Sequence, residues 1–217
     1  MEPTLVLDLD GTLVDSVPDL TAALNRLMDT RSLPRFAPAS VTRMVGDGAR
    51  VLVERAFAAH GQAADEAALA AFLEDYGAHA AVETRAFPGV AETLRALSAA
   101  GWRMAVCTNK PEAPARSLLA ALGLDEYFAA IGGGDSFPVR KPDPAHLRAT
   151  LAAAGGSPAR AVMAGDHHND QLAAAGCGMP AIFAAWGYSP PEVGHNFAAV
   201  ATRFADLPDI AAGLLRG

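Results

Sequence analysis

Leu5-Val6-Leu7-Asp8-Leu9-Asp10-Gly11-Thr12-Leu13-Val14-Asp15-Ser16 stands near the start of the chain, and its reading decides the fold. An apolar run ends in two aspartates that flank one leucine and then meet a glycine. Burying charge without a partner is costly, so a purely structural strand has no use for Asp8 and Asp10 at its end. A hard cation such as Mg²⁺ wants oxygen ligands and gives them a use. Residues 4–8 therefore read as a short buried strand that delivers carboxylates to a site.

Outward from that strand the pattern changes twice. From Val17 to about Val82 it is helical: Leu20, Leu24, Leu27 and Met28 share one face, and Leu69, Phe72, Leu73 and Tyr76 share another. Ala39–Val45 and Ala49–Ala59 read as two further helices, broken at Gly46-Asp47-Gly48. From Phe87 onward strands alternate with helices. Strands are expected at Arg103–Thr108, Phe128–Ile131, Ala161–Ala164, Ala181–Ala184 and Ala198–Ala201. Helices are expected after Pro88-Gly89 and at Ala113–Leu122, Pro144–Ala154, Asn169–Ala175 and Pro208–Leu215. Alternation of this kind implies a parallel sheet covered on both faces. The expected fold class is α/β, a Rossmann-like doubly wound parallel sheet with an inserted all-helical cap domain. Residues 1–15 and 83–217 form the core and residues 16–82 the cap, with hinges near Asp15–Val17 and Val82–Phe87.

Composition narrows the function. The 217 residues are 51% hydrophobic, enough for one substantial core and a smaller second one. The net charge is −7 and no Lys/Arg cluster occurs, which argues against nucleic acid or an anionic membrane as partner. Cys107 and Cys177 lie in apolar or glycine-rich stretches and read as buried small residues, not a disulfide framework. No leader-like or membrane-spanning apolar run is evident, so a cytoplasmic location is expected, as a monomer or homodimer.

Ligands of open parallel sheets bind beyond the carboxyl ends of the strands. Four pieces fall there: Asp8/Asp10, Thr108-Asn109, Lys141 in Arg140-Lys141-Pro142, and Gly165-Asp166-His167-His168-Asn169-Asp170. Each suits a part in phosphoryl transfer. Asp8 can attack phosphorus, and Asp10 can protonate the leaving oxygen and later activate water. Asp8, the Asp10 carbonyl and Asp166 can hold Mg²⁺. Thr108 and the Asn109 amide can bind phosphoryl oxygens, and Lys141 can restrain the nucleophile.

These four stretches resemble, in order and separation, the motifs of the haloacid dehalogenase superfamily. A helical cap between the first two is similar to the subgroup that contains phosphoglycolate phosphatases. Val45-Gly46-Asp47-Gly48-Ala49-Arg50 resembles that subgroup's substrate-selecting cap loop. The resemblance implies Mg²⁺-dependent hydrolysis of a small phosphomonoester, phosphoglycolate-like, through an aspartyl-phosphate on Asp8. Gly48, Arg50, Thr12 and Asn109 then become substrate-binding candidates, with Arg50 able to clamp a carboxylate. Dehalogenases and phosphonoacetaldehyde hydrolases lack the Asp10 equivalent, and the latter need a cap lysine, whereas residues 16–82 contain none. A β-phosphoglucomutase-like activity and a non-catalytic phosphate-binding protein remain as alternatives.

Position 167 departs from the subgroup, which usually has serine there. His167 reads as a hydrogen-bonding neighbour of the site or part of a solvated loop. Asp170 reads as an outer-shell metal partner, a brace for Lys141 or a helix-start carboxylate. Asp15 reads as a cap for the following helix. Lys110 is expected to point to solvent. His60, His79, His146 and His195 read as surface or satisfied histidines, and Trp102 and Trp186 as packing residues. Trp186-Gly187-Tyr188 follows a strand and is placed to line the cleft.

Overall fold

The computed structural model describes residues 2–216. β1 (Thr4–Leu7) and the two-residue β2 (Val14–Asp15) lead into α1 (Val17–Thr30), α2 (Pro38–Thr42), α3 (Ala49–Ala58) and α4 (Glu66–His79). The chain returns through β3 (Arg85–Ala86). It then runs through α5 (Val90–Ala99), β4 (Arg103–Cys107), α6 (Glu112–Ala121), β5 (Ala130–Gly132) and α7 (Pro144–Ala153). β6 (Ala161–Gly165), α8 (His168–Gly176), β7 (Ala181–Ala184), β8 (Ala199–Ala201) and α9 (Leu207–Leu214) complete it.

The larger sheet has the order β5-β4-β1-β6-β7-β8, and its strands run parallel. Alternation explains how both faces are covered. Leu5 and Leu7 of β1, with Met104 and Val106 of β4, pack with Leu94, Leu118 and Phe204 on one face. Val6, Ala105 and Cys107 pack with Leu147, Leu151 and Ala173 on the other. Burying each large aliphatic side chain contributes about 1.5–3 kcal/mol. From β1 the chain builds outward to β5 on one side and to β8 on the other. The order therefore reverses at β1, where open α/β sheets bind ligands.

The helical insertion has an apolar core of its own, made of Leu20, Leu24, Leu27, Met28, Val53, Phe57, Phe72 and Tyr76 among others. Local chemistry sets its helix ends. Pro18 opens α1 in its first turn, and the Asp65 carboxylate caps α4 by accepting from the Ala68 amide. α2 is shorter than its sequence suggests, because residues 43–48 leave the helix for turns around Gly46 and Gly48.

The two crossings between core and insertion are not plain linkers. β2 and β3 pair antiparallel, Val14 with Ala86 and Asp15 with Arg85. The buried Asp19 carboxylate, in the first turn of α1, accepts from the amides of Glu83 and Thr84 and from the Thr84 hydroxyl. Pairs this short escape sequence reading, since two residues carry no periodicity.

Candidate active site

Asp8 follows β1 directly and is nearly buried, its amide donating to Ala164 O of β6 at 3.0 Å. Gly11 makes the following turn with φ +84°, and a Cβ there would lie 2.6 Å from an Asp166 oxygen. Lys141 Nζ lies 2.9 Å from Asp8 Oδ1 and also binds Asp170 Oδ1. Asp170 Oδ2 accepts from the His167 amide at 3.0 Å. Asp170 therefore braces Lys141 and caps α8 at once.

Asp166 ends the central strand pair from the other side. Its Oδ1 accepts from the Thr12 hydroxyl at 3.1 Å and its Oδ2 from the Tyr188 amide at 2.8 Å. Thr12 is thereby corrected: it positions Asp166 and does not line the cavity. Burial, followed by the charges of Asp8 and Asp170, pushes the Asp166 carboxyl up to about 7. Burial pushes Asp8 up to about 6 against the pull of Lys141. Burial pulls the Lys141 ammonium down, but Asp170 and Asp8 outweigh it and hold it above the usual lysine range.

Oxygens of Asp8, Asp166 and Asp170 lie within 4.8 Å of one another. Three buried carboxylates against one ammonium leave two negative charges uncompensated. An all-oxygen donor set with that deficit fits a hard divalent cation. Asp170 is ion-paired to Lys141 and caps α8, whereas Asp8 and Asp166 stand at the ends of the adjacent strands β1 and β6, and their hydrogen bonds leave each carboxylate lone pairs to offer a cation.

Asp10 also lines the cavity and is tied differently. Its Oδ1 accepts from Ser16 Oγ at 2.6 Å and from Lys110 Nζ at 3.0 Å, and its Oδ2 accepts from Lys110 at 3.2 Å. Lys110 Nζ also donates to the Tyr76 hydroxyl of α4 at 2.7 Å. Lys110 is 6% exposed, which overturns the expectation that it faces solvent. The helical insertion covers its stem, and Asp10 and Tyr76 supply the partners a buried ammonium requires. Burial pulls this ammonium down as well, but Asp10 and then Tyr76 more than restore it. One signal was available in the sequence: Lys110 and Lys141 are the chain's two lysines, among 17 basic residues.

The loop between α2 and α3 docks on the core. Asn109 Nδ2 donates to Gly46 O and to Lys141 O, both at 3.0 Å. Asn169 Nδ2 donates to Asp47 Oδ1 at 2.7 Å. A Cβ at Gly46, where φ is +123°, would sit 2.7 Å from the His167 ring. Thr108 is buried beside them, and its Oγ1 accepts from the Lys110 amide at 3.2 Å. Gly48 lines the cavity as the N-cap of α3.

Arg50 does not reach this site. It is exposed and forms two bonds to Glu66, at 2.6 and 2.9 Å. One residue past Ala49, its side chain leaves α3 on the face that meets the start of α4. The carboxylate-clamp expectation for Arg50 is thereby corrected.

His167 caps α8, its ring accepting from the Asn169 amide. Burial, then His168, pushes it down to about 4. Asp47, His167 and His168 come close together, but Asn169 and Arg55 already occupy the Asp47 oxygens. Ser16, not Asp15, is the N-cap of α1; Asp15 accepts from the Val17 amide at 3.3 Å and from the Tyr188 hydroxyl at 2.9 Å. Trp186 is more than packing, because its indole N–H donates to Thr12 O at 3.0 Å. His146 is a satisfied core histidine, bound to Gly133 O.

Core and insertion together line a partly open cavity of about 40 Å³. Asp8, Asp10, Thr108, Asn109 and Lys110 form its polar floor, and Leu20, Val45, Leu52, Phe72 and Leu73 its apolar roof. The arrangement offers a buried carboxylate paired with an ammonium, a second carboxylate paired with another ammonium, and a cluster of three carboxylates whose oxygens suit a hard cation.

A haloacid dehalogenase-like hydrolase family model matches residues 3–178. A phosphoglycolate phosphatase of Rhodospirillum rubrum is 43% identical, over 96% of this chain and 90% of its own length. One from Caulobacter vibrioides is 43% identical, over 98% of this chain and 92% of its own. A Haemophilus somnus crystal structure, described as a predicted phosphoglycolate phosphatase, is similar at TM-score 0.88 and 32% identity. It covers 96% of this chain and 97% of its own. The chain belongs to the haloacid dehalogenase-like hydrolase family.

Proposed function

We propose that the protein hydrolyses a small, phosphoglycolate-like phosphomonoester with Mg²⁺, through an aspartyl-phosphate on Asp8. The observation that carries this reading is Asp8 at the end of β1, held 2.9 Å from Lys141, lining the cavity and clustered with Asp166. A divalent cation on Asp8 and Asp166, with the Asp10 carbonyl, would neutralise charge between nucleophile and phosphate. Residues 16–82 act as the cap and residues 1–15 and 83–217 as the core.

In the first step an Asp8 oxygen bonds to phosphorus as the ester P–O bond breaks. Asp10 gives its proton to the departing oxygen. In the second step Asp10 takes a proton from water, which attacks the aspartyl-phosphate, releases phosphate and restores Asp8. Lys141 fixes the attacking carboxylate and offsets charge on the phosphoryl oxygens. Thr108 and the Asn109 amide bind those oxygens. The cap excludes bulk water while the intermediate exists.

The apolar roof supports a small substrate over a sugar phosphate, because hydroxyls of a hexose would meet Leu20, Leu52 and Phe72 with no partner. The deciding experiment measures phosphate release from 2-phosphoglycolate, ethyl phosphate and hexose phosphates, with Mg²⁺ and with EDTA. Metal-dependent release from a small ester supports the reading. Isomerised hexose phosphate without phosphate release would replace it with the mutase reading.

A further inference from the structure

Among the described residues that line the cavity, Lys110 is the one cation. Lys141 lies beneath Asp8, committed to Asp8 and Asp170. Arg50 is outside, committed to Glu66. An anionic group on the substrate other than the phosphoryl group therefore has one cation to meet.

The partners of Lys110 show what that group must be and where it lies. The ammonium contacts both oxygens of Asp10 and the Tyr76 hydroxyl, and also lies 4.4 Å from the Tyr76 ring centroid. Tyr76 is 2% exposed and accepts from Lys110, and among the described hydrogen bonds its own O–H donates to nothing. Burial holds that phenol above its usual range, so the proton stays on oxygen. An ammonium and an unspent phenol donor side by side make a pair of donors suited to a carboxylate. The remaining roof side chains are apolar.

Position follows from Asp10. In the proposed reaction Asp10 serves the leaving oxygen, and Lys110 Nζ is 3.0 Å from Asp10. A group bound by Lys110 lies next to that oxygen. Meanwhile Ser16 and Lys110 together occupy the Asp10 carboxylate, which must be free to approach the leaving group.

We propose that Lys110 and the Tyr76 hydroxyl form a subsite for a carboxylate one or two carbons from the substrate's ester oxygen, and that this carboxylate takes Lys110 from Asp10. The subsite rests on the phosphatase reading and deepens it. The preferred substrates are phosphate esters of short hydroxy acids. Specificity then acts on turnover as well as on binding, because a substrate without the carboxylate leaves Asp10 tied to Lys110.

The test compares 2-phosphoglycolate with ethyl phosphate, which puts a methyl group where the carboxylate stands. For the wild type, kcat/KM favours phosphoglycolate by on the order of 10³-fold, with part of the ratio in kcat. Lys110→Met lowers that ratio by roughly 30-fold or more, and Tyr76→Phe, which removes one hydroxyl, lowers it several-fold. A wild type that releases phosphate from neither ester overturns the phosphatase reading and the subsite with it. An active wild type whose ratio stays within about threefold in Tyr76→Phe and in Lys110→Met, both esters slowing together, overturns the subsite alone. In that outcome Lys110 is a positioning residue for Asp10.

Discussion

The two lysines of this chain anchor two contrasting clusters, one lining the cavity and one behind Asp8. Around Lys141, every partner comes from the core: Asp8 after β1 and Asp170 in the first turn of α8. Around Lys110 the partners come from both sides of the chain crossing, Asp10 from the core and Tyr76 from α4 of the insertion. The first cluster is complete whatever the insertion does. The second is complete only while the insertion is seated. Chemistry that must persist through a catalytic cycle belongs in the first, and selection of what is enclosed belongs in the second.

The sharpest way to break this comparison is Asp8→Asn. Phosphate release should fall by at least ~10³-fold. The fold should remain, since Lys141 keeps Asp170 as partner, and circular dichroism with a thermal melt checks this. Substantial residual turnover in a folded variant would move the nucleophile elsewhere.

Stability separates the two lysines next. Lys141→Met strands Asp8 and Asp170 with no counter-charge and should cost about 3–5 kcal/mol. Lys110→Met strands Asp10, whose side chain is 13% exposed and so keeps some access to water. Its expected cost is smaller, about 1–2 kcal/mol. Urea unfolding of both variants at pH 8 without metal measures the difference. Equal costs would mean the Lys110 cluster is as permanent as the Lys141 cluster.

The Lys141 cluster was legible in the sequence and the Lys110 cluster was not, for a physical reason. Asp8, Asp166 and Asp170 sit at strand ends or in a helix's first turn, where strand order alone brings them together. Lys141 precedes the Asp143 cap and Pro144 of α7, also a position set by local chemistry. Lys110 depends on Tyr76, 34 residues away, arriving from a different element. A lysine is rarely buried, so solvent was the default reading. Arg50 shows the reverse: its loop docks on Asn109 and Asn169 of the core, but a helix sends neighbouring residues to different faces. The β2–β3 pair and the Trp186–Tyr188 wall around Asp166 also come from tertiary packing rather than from pattern.

pH sharpens the picture of the Lys141 cluster. Asp8 and Asp166 are raised to about 6 and about 7 from an ordinary 3.8. Between pH 4 and 7 the folded chain therefore keeps protons that the unfolded chain has released. The contribution of this pair is fully present below pH 4 and is lost as pH rises through 6–7. In the proposed reading a divalent cation would take the place of those protons. Saturating Mg²⁺ should raise the melting temperature by roughly 5–10 °C at pH 8 and by much less at pH 5. Equal shifts at both pH values would remove Asp8 and Asp166 as the cation's carboxylates.

The smallest expected effect is the most direct test of where the two regions end. Arg50 follows the Gly46-Asp47-Gly48 loop that lines the cavity, so proximity in sequence suggests that it clamps substrate. Its guanidinium instead points along the surface to Glu66, in a pair whose side chains are 48% and 79% exposed. Ion pairs this open to water contribute little. Arg50→Ala should leave kcat/KM for phosphoglycolate within twofold and the melting temperature nearly unchanged, while Tyr76→Phe in the same assay loses selectivity. A loss in Arg50→Ala of tenfold or more, confined to carboxylate-bearing esters, would mean that α3 rotates on closing. Arg50 would then abandon Glu66 for the substrate, and the role assigned to Lys110 would pass to it.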